Sequence, residues 1–142
     1  MNKKYETGIA FGTWDYLHYG HIKFLQHAKQ YCEHLIVAVD TDEYAKDKKG
    51  KDTYQDYFIR TTALNELRCV DEVIYQKRGF SKRKAILEHE PEVIFVGTDH
   101  KDNGWEGARL ASEYCLDVLY IPEANIHSSD IIKIIKKNEK SK

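Results

Sequence analysis

The strongest constraint on this chain is a repeated alternation along its length. Short apolar runs recur, and each is followed by a longer amphipathic stretch. Gly8–Phe11, Leu35–Val39, Asp71–Tyr75, Val93–Val96 and Val118–Ile121 read as strands. The unbroken run Leu35–Val39 fits a strand buried on both faces. Between them, residues 21–31, 55–67, 82–90, 106–114 and 129–137 carry apolar side chains at three-and-four spacing and read as helices. Ile22, Leu25 and Ala28 show that spacing in the first. Pro91 and Pro122 mark stops, and residues 41–54, polar and rich in lysine, read as a loop. A β-α-β-α order predicts a parallel five-stranded sheet with helices on both faces. In such sheets the ligand crevice lies beyond the carboxyl ends of the strands, where the strand order reverses. That rule points to the residues after Phe11 and after Val96.

The length of 142 residues fits one domain over 1–142, with residues 138–142 expected to fray. No internal repeat or linker divides it. Lysine and arginine total 22 against 23 acidic residues, a formal charge of −1. This balance excludes a whole-surface nucleic-acid binder and leaves room for a local basic patch. The longest apolar run has five residues, whereas a membrane span needs about 20. Residues 1–6 have no apolar leader, and the three cysteines, Cys32, Cys69 and Cys115, form neither a disulfide framework nor a zinc pattern. A cytoplasmic location is therefore expected.

The segment Gly12-Thr13-Trp14-Asp15-Tyr16-Leu17-His18-Tyr19-Gly20-His21 leaves the first strand and enters the first helix. Two histidines three residues apart at a helix start can face one side. Gly20 between them lets a ligand approach the backbone. The helix terminus itself favours phosphate. Taken alone, such a pair is more often a surface coincidence or half of a metal site. Asp15 could equally cap the helix, and Trp14 could equally be core. Neither the Gly-x-Gly-x-x-Gly fingerprint nor a phosphate loop ending in Gly-Lys-Ser/Thr is present.

The same ten residues resemble the G-T-F-D-L-L-H-x-G-H signature of the cytidylyltransferases, most closely the glycerol-3-phosphate group. The likeness continues through Ile22-Lys23, Ala28-Lys29-Gln30, Thr41-Asp42-Glu43, Arg60, Arg68-Cys69-Val70-Asp71-Glu72-Val73 and Trp105-Glu106-Gly107. It implies a Rossmann-like fold, a homodimer, and transfer of a cytidylyl group from CTP to a phosphorylated alcohol. It also implies that His18 and His21 stabilise the reacting α-phosphate. Gly12, Thr13, Trp14 and Gly20 would line the nucleotide site. Asn125-Ile126-His127-Ser128-Ser129 resembles the family's R-T-E-G-I-S-T-[S/T] nucleotide motif. Ile126 matches its Ile, and His127, Ser128 and Ser129 fall on the residues that follow. The preceding arginine is absent. Without context the same stretch reads as a capped surface helix, with Ser128 or Ser129 as cap.

By the same resemblance Lys48 or Lys49 would meet the acceptor phosphate and Lys51 the nucleotide, although a lysine-rich loop is more often merely solvated. Asp15, Arg60, Arg68 and Lys82 would serve the acceptor. Arg60 and Arg68 lie eight apart and share a helical face if that helix continues. Gly97 ends a strand at the expected crevice, and Asp99 could orient base or sugar. Asp40-Thr41-Asp42-Glu43 reads as a strand-end turn in preference to a metal site, since magnesium in such reactions is held mainly by substrate phosphates. No protein metal site is expected. Competing readings are an adenylyltransferase making an ADP-sugar, FAD or a coenzyme A precursor, and a non-catalytic nucleotide-binding module. A synthetase fragment would need a K-M-S-K-S-like loop, which the chain lacks.

Overall fold

The computed structural model describes residues 4–98 and 105–122. Five strands, β1 (Tyr5–Gly12), β2 (Cys32–Asp40), β3 (Glu72–Gln76), β4 (Val93–Gly97) and β5 (Asp117–Ile121), form one sheet. Its order is β3-β2-β1-β4-β5 and every pairing is parallel. The helices between them are α1 (Tyr19–Lys29), α2 (Asp42–Lys49), α3 (Tyr57–Asn65), α4 (Lys82–His89) and α5 (Glu106–Glu113). The helix expected over 129–137, and the tail, lie outside the described residues.

Side chains alternate across the sheet and divide the core in two. Ala10, Leu35, Val37, Val39, Val93 and Phe95 face α1 and α3, where Phe24, Leu25, Ala28 and Leu64 close the layer. Ile9, Ile36, Ala38 and Ile94 face α4 and α5, meeting Ala85, Ile86, Leu110 and Ala111. The interior strand β2, between β3 and β1, is buried from Leu35 to Asp40, as its unbroken apolar run requires. Helices thus cover both faces, and the strand order reverses between β1 and β4.

Two elements differ from expectation. The stretch 41–54 is not all loop, because Asp42–Lys49 forms α2. Only Ala45 of this helix is buried, so no apolar stripe announces it. Its termini hold it instead. The Thr41 hydroxyl accepts the Tyr44 N–H, Asp42 and Glu43 sit in the first turn, lysines fill the last, and Gly50 closes it at φ 73°. Helix α3 ends at Asn65, so Arg60 and Arg68 do not share a helical face. Arg68 is exposed in the connection that enters β3, at the amino end of the sheet.

Candidate active site

The carboxyl ends of β1 and β2 carry the site. Beyond Gly12 the chain turns sharply, with Trp14 at φ 58° and Tyr16 at φ 49°, both in the left-handed region. Such backbone costs on the order of 1 kcal/mol per residue and persists only where neighbours fix it. Here they do. Asp15 accepts the N–H groups of Tyr54 (2.8 Å) and Gln55 (3.0 Å), so it pins the loop before α3 and does not cap α1. The Tyr16 N–H donates to Gln55 Oε1 at 3.0 Å. Trp14 is buried, its indole N–H donating to the Ala38 carbonyl at 3.2 Å. Its ring meets His21 edge-on at 5.6 Å and packs on Phe24. A side chain at Gly12 would press on that indole, its Cβ 3.0 Å from Trp14 Cε2. Trp14 and Gly12 therefore shape the floor beneath His21, and the Trp14 ring is core.

Helix α1 begins with an unusual cap. His18 is the extended N-cap residue, and its Nδ1 accepts the Gly20 N–H at 3.1 Å. In return His21 Nδ1 accepts the His18 N–H at 3.2 Å. These reciprocal bonds do for the helix start what a hydroxyl and a carboxylate usually do. They also fix chemistry. A ring nitrogen that accepts an N–H carries no proton, so each neutral imidazole keeps its proton on Nε2. The rings stack at 3.9 Å with 24° between their planes. Burial, then His18, then Lys49 depress the His21 pKa from 6.5 to about 4. Near neutral pH, His21 is therefore an uncharged donor through Nε2.

Cations gather beside this pair. From α2, Lys48 Nζ reaches Asp40 Oδ2 at 3.0 Å, and Lys49 Nζ donates to Thr13 Oγ1 at 2.8 Å. Thr13 Oγ1 donates to the same Asp40 oxygen at 3.0 Å. Lys82, at the start of α4, lies over the Phe11 ring and 3.9 Å from Glu106. Burial lowers the pKa values of Lys49 and Lys82, and Lys48 lowers both further. Asp40, Asp15 and Glu106 offset this only in part, and the added negative charge of a polyphosphate would favour the charged lysines. Lys51 follows the cap of α2 and adds its repulsion to Lys49.

Arg60 is 1% exposed. It donates to the Thr13 carbonyl (2.6 Å), the Asp40 carbonyl (2.7 Å), the Gln55 carbonyl (3.0 Å) and Asp42 Oδ1 (2.7 Å). One guanidinium thus ties the ends of β1 and β2 to the starts of α2 and α3. It positions the site and is not surface charge. Gly97 ends β4 two residues beyond Phe95, as Gly12 ends β1 two beyond its partner Ala10. The two glycines flank the reversal of strand order, where the crevice was expected. Arg68, at the opposite end of the sheet, is not brought to the site. Asp99, Ile126, His127, Ser128 and Ser129 lie outside the described residues. Sequence reasoning missed Asp40 and Gln55 as site-builders. Asp40 had a signal, a lone carboxylate ending a fully buried apolar run.

A parallel sheet whose switch point carries a stacked histidine pair, a helix start and clustered lysines defines a Rossmann-like nucleotidyltransferase fold. Residues 9–134 match the family model described as cytidylyltransferase-like, and the chain belongs to that family. It is 39% identical to glycerol-3-phosphate cytidylyltransferase of Bacillus subtilis (strain 168) over 88% of this chain and 92% of that protein. It is 29% identical to FAD synthase of Thermococcus sibiricus over 96% of this chain and 93% of that one. A crystal structure from Thermoplasma volcanium, described as a lipopolysaccharide core biosynthesis protein, superposes with a TM-score of 0.73 at 28% identity. It covers 85% of this chain and 99% of that chain. Pantoate-beta-alanine ligase from Francisella tularensis shares the fold at a TM-score of 0.60 and 16% identity, over 92% of this chain and 69% of that one. Among the described residues no helix is long and apolar enough to cross a membrane.

Proposed function

We propose that this nucleotidyltransferase condenses CTP with a phosphorylated alcohol, glycerol 3-phosphate foremost, to give a CDP-alcohol and pyrophosphate. An oxygen of the acceptor phosphate attacks the α-phosphorus in line, the bond to the pyrophosphate oxygen breaks, and no covalent enzyme intermediate forms. The nucleotide enters as its magnesium complex, with the ion carried mainly by its phosphates.

The observation that carries this reading is the paired cap of α1. Both Nδ1 atoms are committed to backbone N–H groups, which leaves two Nε2–H donors fixed side by side at a helix start. Donors held in advance bind charge that builds on the α-phosphate without reorganising, and this is a major source of rate in phosphoryl transfer. Lys48, Lys49 and Lys82 bring a second anion close to the first by offsetting their mutual repulsion. The choice of CTP and glycerol 3-phosphate is supported by 39% identity across nearly the whole of a relative with that activity in its name.

A second reading, adenylyl transfer to a flavin phosphate, is favoured by the likeness to FAD synthases over 96% of the chain. Pyrophosphate release measured with each of the four nucleoside triphosphates against glycerol 3-phosphate, other phosphorylated polyols and flavin mononucleotide separates the two. The first reading expects CTP with a small phosphorylated polyol. ATP with the flavin would replace it, and nucleotide binding with no release for any pair would point to a non-catalytic module.

A further inference from the structure

Gln76 is the last residue of β3, is wholly buried, and has neither amide atom hydrogen-bonded. Buried amides are ordinarily paired, so one left open on both ends calls for a cause. Its place in the sheet supplies one. In parallel register Asp40 pairs with Gln76 and Ala38 with Ile74, so Gln76 points to the face that holds α4 and α5. Thr13 and Asp40 precede it in the same row across the carboxyl ends of β1 and β2, joined by their hydrogen bond. Lys82 stands on that face, over Phe11. Beside Lys82 lies Glu106, and the preceding residue, Trp105, carries another buried unpaired donor, its indole N–H. Two orphaned polar groups therefore share one face with the cations that the proposed reaction assigns to the acceptor.

Helix α2 lies across this row. Lys49 reaches Thr13 at the end of β1, and Lys48 reaches Asp40 at the end of β2. Glu43 and Asp47 meet Arg78 just past β3. The helix buries only Ala45, so little apolar contact resists its shift.

We propose that Gln76 recognises the alcohol end of the acceptor, its amide pairing with a hydroxyl carried beside the phosphate. This rests on the transfer reading above and narrows the acceptor to phosphomonoesters bearing free hydroxyls. An amide offers one donor and one acceptor side, which is what a hydroxyl complements and a quaternary ammonium does not. The acceptor phosphate lies with Lys48, Lys49 and Lys82, and the hydroxyl end reaches under α2 toward Gln76. A site built to pair a hydroxyl discriminates against analogues that lack it, because its own buried groups then stay open.

The test compares wild type with Gln76→Met, which keeps the volume and removes both polar atoms. Acceptor KM is read with glycerol 3-phosphate and with propyl phosphate, which has no hydroxyl, and CTP KM and Tm are read alongside. In Gln76→Met we expect the glycerol 3-phosphate KM to rise about tenfold. The CTP KM should stay within about twofold, the propyl phosphate KM should not change, and Tm should be equal or higher. An unchanged glycerol 3-phosphate KM, or an equal rise for both acceptors, overturns the role. If Gln76→Met does not fold, Gln76→Leu is measured in the same way. Failure of both to fold also overturns it, because an amide without partners is replaceable by an apolar side chain. Wild type that releases no pyrophosphate from CTP with either acceptor refutes the transfer reading itself. Active wild type with an indifferent Gln76→Met refutes only the role of Gln76.

Discussion

The depressed pKa of His21 makes the unliganded protein sensitive to acid in a defined window. An unfolded histidine titrates near 6.5, whereas burial first, then His18 and Lys49, hold this ring neutral down to about 4. Between those values the unfolded chain binds a proton that the folded chain refuses. Stability therefore rises with pH through the window and is fully present above about pH 7. At roughly 1.4 kcal/mol per pH unit, the loss amounts to about 3 kcal/mol by pH 4. His21→Gln removes the titration, and a glutamine at the third helical position can still accept the His18 N–H. Denaturant unfolding of both proteins at intervals from pH 7.5 to 4 gives the difference directly. The wild type should lose about 3 kcal/mol more than the variant across that range, and the His21 ring should titrate near 4 by nuclear magnetic resonance. Parallel pH curves, or a His21 pKa at or above 6.5, would refute the neutral-donor reasoning.

Two further substitutions probe the supports of the site. Arg60→Met leaves the carbonyls of Thr13, Asp40 and Gln55 without the donor that joins them. It should cost about 3 kcal/mol in denaturant unfolding, where an ordinary surface arginine would cost almost nothing. Lys49→Met takes away a cation that faces both Thr13 and His21. It should raise the acceptor KM about tenfold and raise the His21 pKa, and steady-state kinetics with a proton titration check both.

Much of this architecture is legible in the residues. Leu35–Val39 announces an interior strand because a strand covered on both sides has no reason to alternate. The order of elements then places the crevice, and Gly12 and Gly97 do flank the reversal. Helix α2 escaped a reading based on apolar periodicity, since Ala45 alone is buried, yet Thr41, Asp42, Glu43 and Gly50 carried its termini in plain sight. The capping of α1 by His18 was hidden for another reason. Histidine is not a usual cap, and only the geometry shows both Nδ1 atoms turned to the backbone. Resemblance assigns Arg60 to the acceptor, and its tie between strand ends and helix starts stays hidden, because local sequence cannot reveal three carbonyls converging from segments 5 to 47 residues away. The buried ring of Trp14 and the two backbone N–H groups that Asp15 accepts fix the turn between β1 and α1, a structural part that the company of the histidines does not announce.

Turnover in folded His18→Ala and His21→Ala variants tests most directly whether two fixed Nε2–H donors hold the α-phosphate. With CTP and glycerol 3-phosphate saturating, each variant should release pyrophosphate at least 100-fold more slowly than wild type, the loss of about 2.7 kcal/mol or more typical of one preorganised donor. Circular dichroism should show the fold intact. Wild-type turnover in either folded variant would contradict the mechanism.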